Sequence, residues 1–267
     1  MARSRHRCRR IDIVGSISVR FYGTLNDFLP VPRRQATLVC AFNSSPSVKD
    51  FVEALGVPHP EIDLLIVDGR SVDFGYRLRD GDRVAVYPLI RTFDVGDTVR
   101  LQPPQQTEPR FIADVHLGRL TAYLRLAGFD TKYRNDYPDE EIVAISASED
   151  RVLLTRDVGV LKHGIVRRGY FLRETQPAQQ VVEVLRHFDL VTRAAPFTRC
   201  LRCNSRLHVV AKDRVQHQLS ARTRECYNDF SRCPNCNRIY WQGSHYARMK
   251  LFMETIFATA QPKITRE

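Results

Sequence analysis

The sequence predicts an α/β protein of three parts: a small N-terminal β-sheet domain with one helix, a middle α/β domain with a parallel sheet, and a C-terminal zinc-binding module. Polar and apolar residues alternate in the first third of the chain, apolar runs end in aspartate in the middle, and two Cys-x-x-Cys pairs follow. A length of 267 residues suffices for two domains of about 100–200 residues each.

The composition is that of a globular protein. With 43% hydrophobic and 27% charged residues, the chain is neither disordered nor collagen-like. Its apolar stretches fall short of the roughly 20 residues that span a membrane. The Arg-rich start leads into a strand pattern with Asp12 and Arg20, where a signal peptide would have an apolar segment. We therefore expect a soluble, cytoplasmic protein without a membrane partner.

The N-terminal domain is predicted to cover residues 11–92, after a basic arm at residues 1–10. A helix begins at the cap residue Ser47, with Asp50 three residues later, and ends at Gly56. Period-two alternation and short apolar runs predict four strands. They are Ile11–Val14, Ser16–Tyr22, Leu64–Val67 and Arg83–Pro88.

The segment Leu78-x-Asp80-Gly81-Asp82-Arg83-Val84 makes this domain resemble the ubiquitin-like β-grasp fold of sulfur carriers. Sulfur carriers end in a free Gly-Gly, whereas here Pro88-Leu89-Ile90-Arg91 continues into further chain. The resemblance therefore implies a module that docks a protein partner, and the missing Gly-Gly end weakens a role in sulfur transfer or conjugation.

A proline-rich linker is predicted at residues 93–109, around Pro103-Pro104 and Pro109. We expect the α/β domain at residues 110–190. The zinc module with a C-terminal helix is expected at residues 191–267.

Two aspartates close apolar runs of the middle domain. Asp114 follows Phe111-Ile112-Ala113, and Asp157 comes at the end of the run that starts at Val152. Open α/β sheets carry their chemistry at the carboxyl ends of the strands, so we expect these two carboxylates to lie together. A divalent cation relieves the repulsion between gathered carboxylates, and oxygen ligands select Mg²⁺ or Mn²⁺.

Between these strands, acidic residues cluster at Asp136 and at the start of a helix, where Asp139, Glu140 and Glu141 follow one another. A metal site of this kind suits phosphodiester hydrolysis, because the bound metal activates a water. The alternative is that the three residues are first-turn acids favoured by the helix dipole, and that Asp130 caps a turn.

Positive charge is concentrated at the two ends of the chain. The arm contains five arginines, and residues 190–267 carry 14 Lys and Arg against 5 Asp and Glu. This asymmetry favours a phosphate-backbone partner, with a solvated basic surface as the alternative. Near the acids, Arg119, Arg125 and Arg156 either pair with carboxylates or bind substrate phosphates.

Four of the seven cysteines form two tight pairs, Cys200-x-x-Cys203 and Cys233-x-x-Cys236. Two such pairs complete a tetrahedral shell of four thiolates with no open position, as in a structural zinc site. The remaining Cys8, Cys40 and Cys226 are predicted to be ordinary thiols, which agrees with a reducing compartment.

Aromatic residues follow the second cysteine pair at Tyr240, Trp241, His245 and Tyr246. They either stack on unpaired bases or pack the zinc module against the α/β domain. Beyond them, a helical stripe of apolar residues is expected to pack in a core. The stripe consists of Tyr246, Met249, Met253, Ile256, Phe257 and Ala260.

Several motifs occur together in the second half of the chain. They are Phe111-Ile112-Ala113-Asp114, Gly118-Arg119-Leu120, Leu124-Arg125-Leu126-Ala127-Gly128-Phe129-Asp130, Leu154-Thr155-Arg156-Asp157, both cysteine pairs and Tyr240-Trp241-x-Gly243-Ser244-His245-Tyr246. With them the chain resembles, from Phe111 to about Met249, the Mut-seven C-terminal ribonuclease family. That family joins a PIN-like three-layer α/β nuclease domain to a zinc ribbon, often behind a ubiquitin-like module. The resemblance implies metal-dependent RNA cleavage, with Asp114 and Asp157 as strand-end acids and Asp139 as the helix acid.

We therefore expect a cytoplasmic ribonuclease, dependent on Mg²⁺ or Mn²⁺, that acts on structured RNA such as tRNA or ribosomal RNA. The expected catalytic residues are Asp114, Asp139 and Asp157, and the expected substrate-binding residues are Arg119, Arg125, Arg156, Trp241 and His245. The alternative is an RNA-, tRNA- or ribosome-binding factor that keeps the same scaffold and does not cut. The sequence contains no P-loop, nucleophile elbow or dinucleotide fingerprint, so we do not expect a nucleotide-driven enzyme, an esterase or a dehydrogenase.

Overall fold

A computed structural model of the protein describes residues 15–90, 98–104 and 106–261. These residues form two compact units. The first contains the described part of Met1–Pro104 together with Leu161–Arg167, and the second contains the described parts of Gln105–Val160 and Arg168–Glu267. The basic arm, the predicted strand Ile11–Val14 and Cys8 lie outside the described residues.

The first unit is a five-stranded mixed sheet with one helix. Its strands are β1 (Gly15–Phe21), β2 (Thr37–Phe42), β3 (Leu64–Val67), β4 (Arg70–Val72) and β5 (Arg83–Tyr87), and its helix is α1 (Val48–Ala54). The strand order is β2-β1-β5-β3-β4. Strands β1 and β5 are parallel, and the other neighbouring pairs are antiparallel. This is the arrangement of the ubiquitin-like domain that the sequence predicts.

Local patterns explain the predicted elements of this unit. Ile17, Val19 and Phe21 alternate with more exposed residues along β1 and are buried in the core beneath α1. The Ser47 side chain accepts a 3.1 Å hydrogen bond from Asp50 N and caps α1. The predicted helix cap and strand face are thus confirmed.

Besides β4, the sequence analysis of this unit missed strand β2. Its residues alternate between exposed and half-buried positions, because it lies at the edge of the sheet and pairs with β1 alone. Apolar residues on both faces, such as Val39 with 80% exposure, conceal the period-two signal.

The described part of the predicted linker is not free of contacts. Leu101 N donates to Asp63 O at 2.9 Å, and the Arg100 guanidinium pairs with the Asp63 carboxylate at 2.5 Å, so these residues belong to the first unit. Gln106 Nε2 donates to Asp150 O at 2.7 Å in the second unit.

The second unit is built on a parallel sheet in the order β7-β6-β8-β9. These strands are β6 (Phe111–Ala113), β7 (Thr131–Lys132), β8 (Val152–Thr155) and β9 (Gly169–Phe171). The helices of its α/β part are α2 (Gly118–Leu126), α3 (Asp139–Ser148), α5 (Pro177–His187) and α4 (Val158–Leu161), of which the last residue belongs to the first unit.

Alternation along the strands divides the sheet into two faces. Phe111 and Leu154 join the core cluster that also contains residues of α2 and α5, whereas Ile112 and Leu153 are equally buried but lie outside that cluster. Helix α3 packs against β6 and β8. The sheet is therefore the middle of three layers, as the sequence predicts.

Gly128 ends the turn after α2 and cannot be replaced without strain. Its φ is +98°, and a Cβ at this position would lie 2.2 Å from the backbone oxygen of Ala195. Only glycine combines this left-handed conformation with so close a backbone neighbour.

A small antiparallel sheet and a long helix complete the second unit. The strands β10 (His208–Val210), β11 (Phe230–Arg232) and β12 (Ile239–Trp241) pair in sequence order, with helix α6 (Ala221–Cys226) between β10 and β11. Helix α7 (Ser244–Ala260) buries Met253, Ile256 and Ala260 in the core of the α/β part. The predicted apolar stripe is thus a core face. Among the described residues, no helix combines the length and apolarity needed to cross a membrane.

Candidate active site and zinc centre

Asp114 and Asp157 follow neighbouring strands of the parallel sheet. Strands β6 and β8 pair in parallel with Ala113 opposite Leu154, and Asp114 N extends this ladder with a 3.0 Å hydrogen bond to Leu154 O. Both aspartates therefore occupy the carboxyl edge of the sheet, where the sequence analysis expects them.

The buried side chain of Thr155 lies between these two acids. Its hydroxyl donates to Asp114 Oδ2 at 2.7 Å and accepts a 2.9 Å hydrogen bond from Asp157 N. Asp114 Oδ1 accepts from Val115 N at 2.5 Å, and Asp157 Oδ1 accepts from Gly159 N at 2.6 Å. Both carboxylates are thus held in one orientation while each retains further lone pairs for a ligand.

The third predicted acid, Asp139, reaches the same place from the first turn of α3. Asp114, Asp139 and Asp157 all line one open pocket of about 470 Å³. Glu140 and Glu141 do not line it, so the fold distinguishes Asp139 from its neighbours. Asp114 is 7% exposed, whereas Asp139 and Asp157 are exposed.

The donor set of this pocket suits a hard divalent cation that keeps part of its water shell. Among the described residues, the four cysteines are the one close group of three or more potential ligands, with their Sγ atoms within 4.8 Å of one another, and the three carboxylates form no such group. Mg²⁺ is usually bound through one or two carboxylates and several waters, so wider spacing of oxygen ligands is compatible with it.

The three arginines predicted to bind substrate have different surroundings. Arg156 lines the acidic pocket, but its Nη1 donates to the backbone oxygens of Leu172, Arg173 and Glu174. Arg119 is exposed near the start of α2 and does not line the pocket.

Arg125 is a correction to the sequence analysis. It is 5% exposed, and its Nε donates to Thr131 O at 2.9 Å. Its Nη1 donates to the backbone oxygens of Leu201 and Arg202, each at 3.0 Å. Because these bonds occupy a buried side chain, Arg125 joins the α/β part to the first cysteine pair and is not placed to bind a substrate phosphate.

The sequence analysis missed one residue of the acidic pocket, His116. It lies two residues after Asp114, in the short turn that follows β6, and its side chain is exposed on the pocket wall. The signal was a histidine two residues after a strand-end aspartate. An imidazole in this position can hold or release a proton beside the carboxylates.

The four paired cysteines form a compact cluster. Cys200 Sγ is 3.5 Å from Cys236 Sγ, and Cys203 Sγ is 3.3 Å from Cys233 Sγ. Four thiolates around one zinc ion, with Zn–S bonds of about 2.3 Å, lie at similar separations. The cluster therefore fits a structural zinc ion. Cys226 is exposed outside it, and Cys40 is a half-buried free thiol of the first unit.

Neighbouring groups prepare two of these sulfur atoms as ligands. The Tyr240 hydroxyl lies 3.1 Å from Cys200 Sγ and accepts a 3.2 Å hydrogen bond from Leu201 N. Although burial opposes ionisation, the Tyr240 hydrogen bond lowers the pKa of Cys200. Burial likewise opposes ionisation of Cys203, but hydrogen bonds from Ser205 and Cys233 lower its pKa to about 6. Such partners orient metal ligands and favour the thiolate form.

A polar network ties the first cysteine pair to the α/β part. Asn204 Nδ2 donates to Asp130 Oδ1 at 2.8 Å, and Asn204 Oδ1 accepts from Thr131 N at 3.0 Å. Arg151 Nη1 donates to the same Asp130 oxygen at 2.6 Å. Burial alone raises the pKa of Asp130, but the hydrogen bonds from Arg151 and Asn204 outweigh burial and lower it. Asp130 thus stabilises this junction.

The two remaining predicted substrate contacts lie in the zinc ribbon, which consists of the two cysteine pairs and strands β10–β12, and in the helix that follows it. Trp241 is 40% exposed at the end of β12. His245 is exposed in the first turn of α7, where its Nδ1 is 2.9 Å from Arg248 Nη2. Neither residue lines the acidic pocket.

Comparison with protein families gives two matches. The family described as Mut7-C RNAse domain matches residues 109–253, which is more than half of the chain, and the family described as Mut7-C ubiquitin matches residues 14–94. The comparisons with curated proteins and with solved structures found no match.

Proposed function

Since the chain belongs to the Mut7-C RNAse domain family, we propose that it is a ribonuclease that uses Mg²⁺ or Mn²⁺ to hydrolyse phosphodiester bonds. The observation that carries the proposal is the convergence of Asp114, Asp139 and Asp157 on one open pocket. These residues come from two strand ends and one helix start, which places them at the edge where parallel sheets bind ligands.

Each pocket residue has a role in this proposal. A bound divalent cation would supply an activated water and would stabilise the charge on the phosphate. The three aspartates would hold the cation, with Thr155 fixing the orientation of Asp114 through their 2.7 Å hydrogen bond. His116 would donate a proton to the leaving oxygen of the RNA, since its ring is exposed in the same pocket.

The zinc ribbon would hold the RNA. Residues 190–267 carry 14 Lys and Arg against 5 Asp and Glu, and this excess favours the phosphate backbone of a structured RNA such as tRNA or ribosomal RNA. The basic arm would add to this affinity, and the ubiquitin-like domain would dock a protein partner. The free thiols of Cys40 and Cys226 favour a reducing compartment such as the cytoplasm.

The test is incubation of the full-length protein with labelled total RNA in Mn²⁺, in Mg²⁺ and in EDTA. We expect fragments that require the metal and that disappear in an Asp114→Asn/Asp157→Asn variant. Asp139→Asn is compared with Glu140→Gln, because Glu140 is the next residue of α3 and does not line the pocket. We expect the first substitution to slow cleavage strongly and the second to leave it unchanged.

Binding measured on the same samples separates the two candidate functions. RNA that is bound but left intact by the wild-type protein in every metal would refute the enzyme and favour a binding factor on a nuclease scaffold. Equal cleavage by the wild-type protein and the Asp114→Asn/Asp157→Asn variant would place the chemistry elsewhere.

A further inference from the structure

A second pocket opens on the zinc ribbon, away from the predicted catalytic acids. It measures about 340 Å³ and is lined by the rings of Phe197, Tyr240, Trp241 and Tyr246. Small-molecule sites measure about 300–1,000 Å³, so the size suits one flat ring system. Val209 on its wall is 89% exposed, which leaves an apolar surface open to solvent.

Trp241 is a fixed and accessible platform in this pocket. Gly243 N donates to Trp241 O at 3.0 Å, and a Cβ at position 243 would lie 2.9 Å from Trp241 Nε1. The absence of that Cβ lets the indole lie against the backbone of residue 243. Trp241 is nonetheless 40% exposed, and it also lines an adjoining pocket that contains Arg238 and Asn237.

Polar groups at the rim of the aromatic pocket are available to a ligand. Within the described residues, neither Asp229 nor Gln242 has a side-chain hydrogen bond or ion pair, and both line the pocket. A carboxylate accepts hydrogen bonds only, so Asp229 would select a ring edge that carries N–H donors. The Watson–Crick edge of guanine carries two adjacent N–H donor groups, and that of cytosine carries an amino group at one end. The single N–H of uracil instead lies between two carbonyl oxygens, which repel a carboxylate.

Charge indicates what kind of molecule brings that ring. The C-terminal part of the chain, residues 190–267, has 14 Lys and Arg against 5 Asp and Glu. Arg199 lines this pocket and Arg238 lines the adjoining one, beside the exposed ring of Trp241. Cations next to an exposed ring are complementary to a single-stranded nucleic acid, whose bases stack while its phosphates pair with cations.

We propose that this pocket binds one unpaired nucleobase of an RNA strand, stacked on Trp241, with Asp229 favouring cytosine or guanine over uracil. Arg238, in the adjoining pocket, binds the neighbouring phosphate. The proposal rests on the proposed function in taking RNA as the ligand, but it needs no cleavage.

Tryptophan fluorescence tests this inference directly, because Trp241 is the single tryptophan of the chain. The full-length Asp114→Asn/Asp157→Asn variant is titrated with oligocytidylate, with oligouridylate and with an abasic ribose-phosphate strand of equal length. We expect both base-containing strands to quench the emission, the cytidylate to bind more tightly, and the abasic strand to leave the emission unchanged.

Binding of labelled strands to further variants completes the test. Trp241→Ala should weaken cytidylate binding about tenfold, whereas Trp241→Phe, which keeps a ring, should retain most of it. Asp229→Ala should remove the preference for cytidylate over uridylate. Zinc content and thermal melting of each variant show whether the ribbon is folded.

Two results would overturn the inference. Quenching by the abasic strand to the same extent would mean that the ribbon responds to charge alone. If no strand quenches the emission and the Trp241→Ala variant binds with unchanged affinity, the pocket does not bind a nucleobase, and a side chain of a protein partner would be its ligand instead. If the wild-type protein still cleaves RNA in that case, the proposed ribonuclease activity is supported and the proposed base pocket is refuted. If stacking is observed without cleavage, the proposed base pocket is supported and the proposed ribonuclease activity is refuted.

Discussion

The Thr155 hydroxyl donates a 2.7 Å hydrogen bond to Asp114 Oδ2 while it accepts another, of 2.9 Å, from Asp157 N. One uncharged, fully buried side chain therefore sets the positions of both strand-end acids. Such support matters because a carboxylate that must hold a cation performs best when its orientation is fixed before binding.

Replacing Thr155 with valine tests this support. The shape is kept, but Asp114 loses a donor and Asp157 N loses an acceptor. We expect the free energy of unfolding to fall by about 1–3 kcal/mol and cleavage to slow about 10–100-fold. Urea unfolding and single-turnover cleavage measure the two effects. Thr155→Ser keeps the hydroxyl, so it should retain most of the activity; a loss as large as that of valine would contradict the role of the hydrogen bonds.

His116→Ala tests the proposed proton donor. The side chain is exposed on the pocket wall, so its removal should leave the free energy of unfolding within about 0.5 kcal/mol of the wild type. Cleavage should slow by about 100-fold or more, because general acid catalysis typically accelerates a reaction by at least that factor. An exposed histidine of the same unit, His217, provides the control substitution. Equal rates for His116→Ala and wild type would remove His116 from the reaction.

Zinc removal should unfold the ribbon. The purified protein is expected to hold one zinc ion per chain, which elemental analysis can count. Cys203→Ser should lose that ion, since Cys203 belongs to the four-thiolate cluster, whereas Cys226→Ser should keep it because Cys226 is exposed outside the cluster. A strong chelator should change the emission of Trp241 and lower the melting temperature. Retention of zinc by Cys203→Ser would contradict the ligand assignment.

Acid should weaken the junction between the ribbon and the α/β part. The pKa of Asp130 is lowered in the folded protein, so the stability that its ionised form contributes is present above the unfolded pKa of about 3.9 and is lost as pH falls through the folded pKa. Relative to Asp130→Asn, the wild-type protein should be about 1–3 kcal/mol more stable at pH 7.

That difference should stay constant between pH 7 and pH 5 and should shrink below about pH 4. Urea unfolding of both proteins across this range measures it, and the comparison cancels acid effects that the two share. A difference that declines already between pH 7 and pH 6 would contradict the assignment to Asp130.

The sequence by itself determined the parts of this protein that depend on local patterns. Asp114 and Asp157 could be placed at a sheet edge because an apolar run followed by an acid marks the end of a buried strand. The zinc ligands could be identified because two Cys-x-x-Cys turns each present a pair of thiolates. The helix α1 could be found because Ser47 has the chemistry of a cap.

Only the tertiary structure decided which of the remaining candidates face the pocket. Arg125 was predicted to bind a substrate phosphate, but its guanidinium donates a hydrogen bond to Leu201 O, 76 residues away in the chain. Asp139 reaches the acidic pocket and Glu140 does not, although they are adjacent. Trp241 remains exposed while Met253 is buried. These differences depend on which elements pack together, and burial by residues far apart in the sequence leaves no mark in a local pattern.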